Sequence, residues 1–341
     1  MDLFRRIFGK TTEDFPDDVV RTDTQSQMLS DIQNTDNNEP PDQSSAHAAE
    51  ELDPSTRPVL KKTPMVDPAD VVTQPLNQEV LIASHNRHIS FGQSTDVGLV
   101  RNNNQDALLS IFYTIDSIDD LPDFGLFVVA DGMGGHQMGE KAAAIVTKTM
   151  AEYITKNVYL PIINNSNSKS DLPPISEVLI EGVQRANERV IQEVPDGGTT
   201  VTAVAVVGDL AYVAHVGDSR AYLITADGIE QLTRDHSLVQ RLIELDQLTR
   251  EEADEHPQRN VLYRALGQGE SLEVDTFTRR LPKNSRLMIC SDGLWGQVDE
   301  KQLYEIVMNH SDPQQAADKL VTLANTNGGI DNITVILLKV N

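Results

Sequence analysis

Apolar residues along this chain are gathered into short dense runs after about residue 85 and are sparse before it. The runs LFVVA (126–130), VTAVAVV (201–207), AYVAHVG (211–217), AYLIT (221–225), RLMIC (286–290) and ITVILLKV (333–340) are bounded by turn-forming residues, which predicts buried strands. Helical spacing predicts helices over 139–157, 176–193, 236–245 and 313–325. Only Gly208-Asp209 and Gly217-Asp218 separate the strands between 201 and 225, so that stretch reads as an antiparallel meander rather than as alternating βαβ units. Helices that come in blocks then cover the sheet faces. The expected class is α+β, a layered sandwich, with one globular domain over 86–341.

The first 85 residues follow a different physics. They are rich in Asp, Asn, Gln, Ser, Thr and Pro, and their Phe residues lie only within the first fifteen positions. Such an acidic segment buries too little apolar surface to offset its ordering entropy, so a disordered tail is expected. Within it, Leu3, Phe4, Ile7 and Phe8 fall at helical spacing beside Arg5, Arg6 and Lys10. This leaves open either a short amphipathic hook for an anionic membrane surface or partner groove, or a frayed terminus. Thr11, Thr12, Thr22 and Thr24 are candidate phosphorylation sites for a phosphopeptide-binding partner.

Charge narrows the functional classes. The 341-residue chain carries a formal charge of -24, which argues against a nucleic-acid polymer as partner. The same acidity suits either solubility or the concentration of divalent cations. The one cysteine, Cys290, follows Leu287, Met288 and Ile289 and is expected in a buried strand, compatible with a reducing cytoplasm. No apolar run approaches bilayer-spanning length, and MDLFRRIFGK lacks the apolar core of a signal peptide.

The candidate chemistry lies in four acidic landmarks: Asp131-Gly132, Asp218, Asp292-Gly293 and Asp331-Asn332. Each carboxylate sits at or beside the end of an apolar run, where distant parts of a chain can converge on rigid supports. Gathered carboxylates repel and need neutralising, and oxygen-only donors favour hard cations such as Mg2+ or Mn2+. Taken singly, each could instead be a turn or cap residue.

In order, VRNNNQDALL (100–109), VVADGMGGHQMGE (128–140), GGTTVTAVAVV (197–207), VAHVGDSRAYLI (213–224), the segment 232–267, ICSDGLWGQV (289–298) and GGIDNITVIL (328–337) together resemble the protein phosphatase type 2C (PPM) family, in its bacterial branch. The likeness spans about 86–341. It implies a four-layer αββα sandwich of two antiparallel sheets flanked by helices, and a metal-dependent serine/threonine phosphatase with two Mn2+ or Mg2+ ions. By that resemblance Asp131 bridges the ions, the Gly132 carbonyl helps hold the second, Asp292 and Asp331 complete the first, and Asp106 supports the cluster. A third ion would fall to Asp218 with Asp292. Arg101 would grip the substrate phosphate, and His136 or a water would protonate the leaving alkoxide. Phosphoproteins, including a serine/threonine kinase and its substrates, are the implied partners, and a monomer is expected.

Two positions depart from the pattern. Gln105 stands where many members carry Glu, and Met133 where some carry the His taken as acid. The first keeps a catalytically weak binding module of the same fold as the rival reading. Arg101 could serve as a surface ion-pair partner, and Asp218 as a turn residue paired with Arg220. His215 is expected to be a satisfied core histidine, and no chemistry is assigned to His236 or His256. The insert at about 233–265 resembles the family's flap. Leu238, Leu242 and Leu245 are expected to pack inward, and Glu251, Glu252, Asp254 and Glu255 to form a solvated face.

Overall fold

The structure, a computed structural model, describes residues 89–115, 121–134, 138–164 and 172–341. The expected tail over 1–85, with its Leu3–Phe8 segment and its threonines, lies outside the described residues, as does His136.

Among the described residues the strands form two antiparallel sheets. The first runs in the order β1 (Ile89–Asp96), β11 (Ile333–Val340), β10 (Arg286–Cys290), β7 (Arg220–Thr225), β8 (Gly228–Gln231). The second runs β2 (Asp106–Tyr113), β3 (Phe124–Met133), β5 (Val201–Val207), β6 (Leu210–Val216), β9 (Asp275–Arg280), with the short β4 (Gly198–Thr199) pairing with the end of β3.

Strand side chains alternate between two cores. On β3, Phe127 and Val129 face the other sheet and meet Leu287 and Ile289 of β10 and Ile336 and Leu338 of β11. Leu126, Val128 and Ala130 of the same strand pack instead against Val146 and Met150 of α1 (Met138–Ile154) and Val183 of α3 (Ile175–Glu193). Beyond the first sheet, Met288, Cys290, Val335 and Leu337 cover Leu303 and Val307 of α7 (Glu300–Asn309) and Leu320 of α8 (Pro313–Thr326). The central strands are buried on both faces, which is why they read as continuous apolar runs. Each large side chain so buried contributes about 1.5–3 kcal/mol. The layers are helix, sheet, sheet, helix.

The four strands of these sheets that periodicity did not predict, apart from β4, are the edge strands β1, β2, β8 and β9. Three of them, ISFGQSTD, GIEQ and DTFTRR, mix polar and apolar positions, as an edge open to solvent requires. Helix α7 was also missed; Asp299 caps it, its side chain accepting from the Gln302 amide at 2.8 Å. The expected 139–157 helix ends at Ile154 and continues as a π-helical turn, Thr155–Tyr159, into α2 (Leu160–Ile163).

The meander expectation holds only in part. Gly208-Asp209 does close a hairpin, with Val207 paired to Leu210. Gly217-Asp218 does not, because β6 and β7 belong to different sheets. The chain crosses from one sheet to the other there, leaving Asp218 at the end of the sandwich. Gly217 sits at φ 114°, and a Cβ on it would clash with the Thr200 side chain.

The flap leaves β8 and carries α4 (Leu238–Glu244) and α5 (Arg250–Asp254). Its root is stitched by Leu238 N–H to the Val261 carbonyl at 2.8 Å and by Tyr263 N–H to the His236 carbonyl at 2.9 Å. Leu238 and Leu242 are buried, but Leu245 is exposed. It is the C-cap of α4, off the end of the apolar stripe. Glu251, Glu252 and Glu255 are exposed, as expected, and Glu252 closes a capping box with Thr249.

Candidate metal centre

Asp106 opens β2 and Asp131 lies near the end of β3, and the two are direct cross-strand partners. Like charges placed opposite one another on a sheet are destabilising, so this pairing needs an explanation. The backbone of Asp131 is fixed: its N–H donates to Thr200 Oγ1 at 2.9 Å, and its carbonyl accepts from the Thr200 amide at 2.8 Å and from Thr199 Oγ1 at 2.9 Å. Asp292 starts the short helix α6 (Asp292–Trp295) directly after β10, and its carboxyl interacts electrostatically with that of Asp131. Asp331 precedes β11; its Oδ1 accepts from the Asn332 amide at 2.8 Å and its Oδ2 from Arg101 Nη2 at 2.6 Å. Glycine follows Asp131 and Asp292 for a packing reason. A Cβ on Gly132 would strike the Gly139 carbonyl, and one on Gly293 the Asn332 carbonyl.

The electrostatics follow from crowding. Asp106 is pushed up to about 7 by loss of water and by the charges of Asp292 and Asp331, against the pull of the Ser291 hydroxyl. Asp292 is pushed up to about 6, by burial first and then by Asp331. Asp131 and Asp218 stand well above the ordinary carboxylate range, through burial and then through neighbouring aspartates. Protein atoms surround these carboxyl groups, yet Asp106, Asp131, Asp292 and Asp331 keep partial access to solvent. Asp218, Asp292 and Asp331 line a cleft of about 1100 Å3 that is also lined by Val239, Gln240 and Ile243 of the flap.

The donors suit a hard divalent cation. They are oxygens, they carry uncompensated like charge, and Asp106 Oδ1 lies buried without a hydrogen-bond partner. Among the described residues, though, no three Asp, Glu, His or Cys side chains are gathered as a ready coordination set. Several of the oxygens have other partners: both oxygens of Asp331 are taken by Arg101 and Asn332, and Asp106 Oδ2 accepts from Ser291 Oγ at 2.8 Å.

Arg101 therefore joins the cluster as the half-exposed ion-pair partner of Asp331. Asp218 does not pair with Arg220, which is committed elsewhere: it bonds Asp235 through Nε and Nη2 at 3.0 and 2.7 Å and stacks 3.5 Å over the Trp295 ring. The Trp295 indole N–H in turn donates to the Asp218 carbonyl at 3.0 Å. His215 is a satisfied core histidine, with Nδ1 2.9 Å from Thr202 Oγ1 and Nε2 3.0 Å from the Arg234 carbonyl; burial lowers it to about 3. The side-chain amide of Gln105 donates to the Gly134 carbonyl at 3.3 Å, so it braces the loop that follows Asp131.

Sequence reasoning did not single out Ser291, Thr200 or Asn332 as supports. Asn332 holds the Arg101 loop: its Nδ2 donates to the Val97 and Asn103 carbonyls at 2.9 and 3.0 Å, and its Oδ1 accepts from the Gln105 amide at 2.8 Å. Its place beside Asp331 was the available signal.

Comparison with known proteins gives the family and the fold. The protein phosphatase 2C family profile matches residues 100–324. The serine/threonine phosphatase stp of Listeria innocua is 34% identical over 253 residues, covering 72% of this chain and 94% of that protein. The crystal structure of the PPM Ser-Thr phosphatase MsPP from Mycobacterium smegmatis, in complex with cacodylate, superposes with a TM-score of 0.59 at 37% identity, covering 73% of this chain and 97% of that one. The catalytic domain of the phosphatase PstP in complex with two manganese ions gives a TM-score of 0.59 at 29% identity, covering 75% and 99%. With the two-sheet fold and the ordered acidic motifs, these matches place the chain in the protein phosphatase 2C (PPM) family.

Proposed function

We propose that this serine/threonine protein phosphatase hydrolyses phosphoserine and phosphothreonine esters with a pair of divalent cations, Mn2+ or Mg2+. Asp131, the Gly132 carbonyl, Asp292 and Asp331 would hold the pair, Asp106 would stand behind it, and Asp218 with Asp292 would hold a weaker third. The observation that carries this reading is the concentration of carboxylates with little matching positive charge, paired across β2 and β3 and reaching a cleft at Asp218 and Asp292, where Asp106, Asp131, Asp218 and Asp292 all resist ionisation. Bound cations supply a water acidic enough to attack phosphorus and the charge that neutralises a phosphomonoester.

The chain's own groups do the rest. The planar fork of Arg101 can donate to two oxygens at once, and it would exchange its bond to the Asp331 carboxylate for the substrate phosphate, which frees Asp331 for ligation. Asn332, through Val97, Asn103 and Gln105, keeps the Arg101 loop in place during that exchange. Asp131 and Asp292 are anchored on β3 and α6, which hold their backbones in place. His136, which lies outside the described residues, is the candidate that the family resemblance offers to protonate the leaving alkoxide.

One observation favours a weaker catalyst. Gln105 offers an amide that braces Gly134 where a carboxylate would add a donor. The deciding measurement is turnover of p-nitrophenyl phosphate and of a phosphothreonine peptide by the full chain, with Mn2+ and with chelator. Metal-dependent release of phosphate from both is expected. No release from either with Mn2+ present would establish the binding-module reading instead.

A further inference from the structure

Leu99, Val100 and Ile330 are large apolar side chains that are 69%, 64% and 45% exposed. Single exposed apolar residues are ordinary, but these three are neighbours on two loops that touch. Leu99 N–H donates to the Gly329 carbonyl at 2.7 Å, and Asn332 Nδ2 donates to the Val97 carbonyl at 2.9 Å. At the base of the first loop, Gly98 N–H donates to Asp96 Oδ1 at 2.8 Å, and Asn325 Nδ2 reaches the same oxygen at 3.0 Å. The apolar groups are thus presented on stitched backbone rather than on a floppy segment. Val100 immediately precedes Arg101 and Ile330 immediately precedes Asp331, and Arg101 and Asp331 form an ion pair, with Ile330 and Asp331 lining the cleft.

We infer that Leu99, Val100 and Ile330 form a seat for a large apolar side chain adjacent to the phosphorylated residue of the protein substrate. This deepens the proposed phosphatase reading and rests on it. A phosphoresidue whose phosphate is held by Arg101 has its sequence neighbours one Cα step, about 3.8 Å, along the peptide. Their side chains then lie over the residues that flank Arg101 and Asp331, and those are apolar. The acid cluster behind them disfavours a flanking Asp or Glu but exacts no electrostatic penalty from Leu, Ile or Val. The seat is preformed, so covering it releases water without ordering a loop first.

The test compares two phosphothreonine peptides that differ only in carrying Leu or Ser on both sides of the phosphothreonine, with p-nitrophenyl phosphate as a substrate that has no flanking residues. For the full chain with Mn2+, the Leu peptide should show a kcat/KM about tenfold higher than the Ser peptide, the effect of covering a partly exposed apolar side chain. In the double variant Leu99→Ser, Ile330→Ser that ratio should fall to about one, while p-nitrophenyl phosphate turnover stays within about twofold of wild type and reports an intact fold. A ratio near one in the wild type, or a ratio kept in the variant, overturns the seat. So does a flat ratio together with a dimer, seen by sedimentation, that the variant abolishes; the patch is then a contact between copies of this chain. If p-nitrophenyl phosphate is not hydrolysed at all, the proposed chemistry fails separately. Calorimetric binding of the two peptides then reads the seat by the same ratio.

Discussion

Two polar regions lie close together in this molecule, and they treat the same residue type in opposite ways. At the flap root every described aspartate has a cation or donor to meet it. Asp235 accepts from Arg220 and, at 3.1 Å, from Gln231 Nε2, and Asp275 accepts from Arg264 Nη1 at 2.7 Å and from His236 Nε2 at 3.2 Å. Burial pushes the Asp275 carboxyl up, but the bonds from His236 and Arg264 outweigh it and hold the group below its ordinary range. In the acid cluster Asp106, Asp131, Asp218 and Asp292 are all pushed up, with burial and neighbouring aspartates as the causes. Arg101 is paired with Asp331 and Arg220 with Asp235, and the pull of Arg101 on Asp292 and of Arg220 on Asp218 does not offset the crowding. A balanced network is architecture; an unbalanced one stores repulsion that a bound cation or a proton relieves. The difference separates structural acids from functional ones more reliably than burial does.

Breaking each region should therefore move stability in opposite directions. The largest effect is on turnover: Asp131→Asn should lower Mn2+-dependent phosphate release by about a thousandfold or more. The same variant, treated with chelator, should melt at or above the wild-type temperature, because a repelling charge has been removed. A drop of several degrees would show that Asp131 is structural and that the contrast is false. At the flap root the sign reverses. Arg220→Ala strands the buried Asp235 carboxylate and removes the stack on Trp295, and should cost about 3–5 kcal/mol in a urea denaturation. A change under about 1 kcal/mol would mean that the pair is no tighter than a surface one.

The smallest effect sharpens the comparison through pH. Asp106 and Asp292 titrate at about 7 and about 6 in the folded chain, against 3.8 for an ordinary aspartate. Between those values the folded state holds more protons than the unfolded state, so their stabilisation is complete below about pH 4 and is lost as pH rises through 6 to 7. The melting temperature of chelator-treated protein should fall across that window, and Asp292→Asn should flatten the slope. A slope that is unchanged in the variant would remove Asp292 as its source.

Much of this was legible in the linear chain. Residues buried on both sides write themselves as apolar runs, so the central strands and the long helices could be placed, and the acids at their ends stood out by motif and order. Edge strands could not be read with equal ease, because a half-solvated strand carries a mixed pattern that loops share. Gly217-Asp218 read as a second hairpin because a turn and a sheet crossing use the same small residues.

The sequence by itself determined which segments must be buried and which acids flank them, since burial and turn chemistry are local and leave a periodic trace. Only the tertiary structure decided which acids face one another. Cross-strand register sets Asp106 against Asp131, and the crossing between sheets brings Asp218 to the same end as Asp292. It also decided that Arg220 serves Asp235 rather than Asp218. Electrostatic balance depends on distances between residues far apart in the chain, and no local pattern encodes those distances.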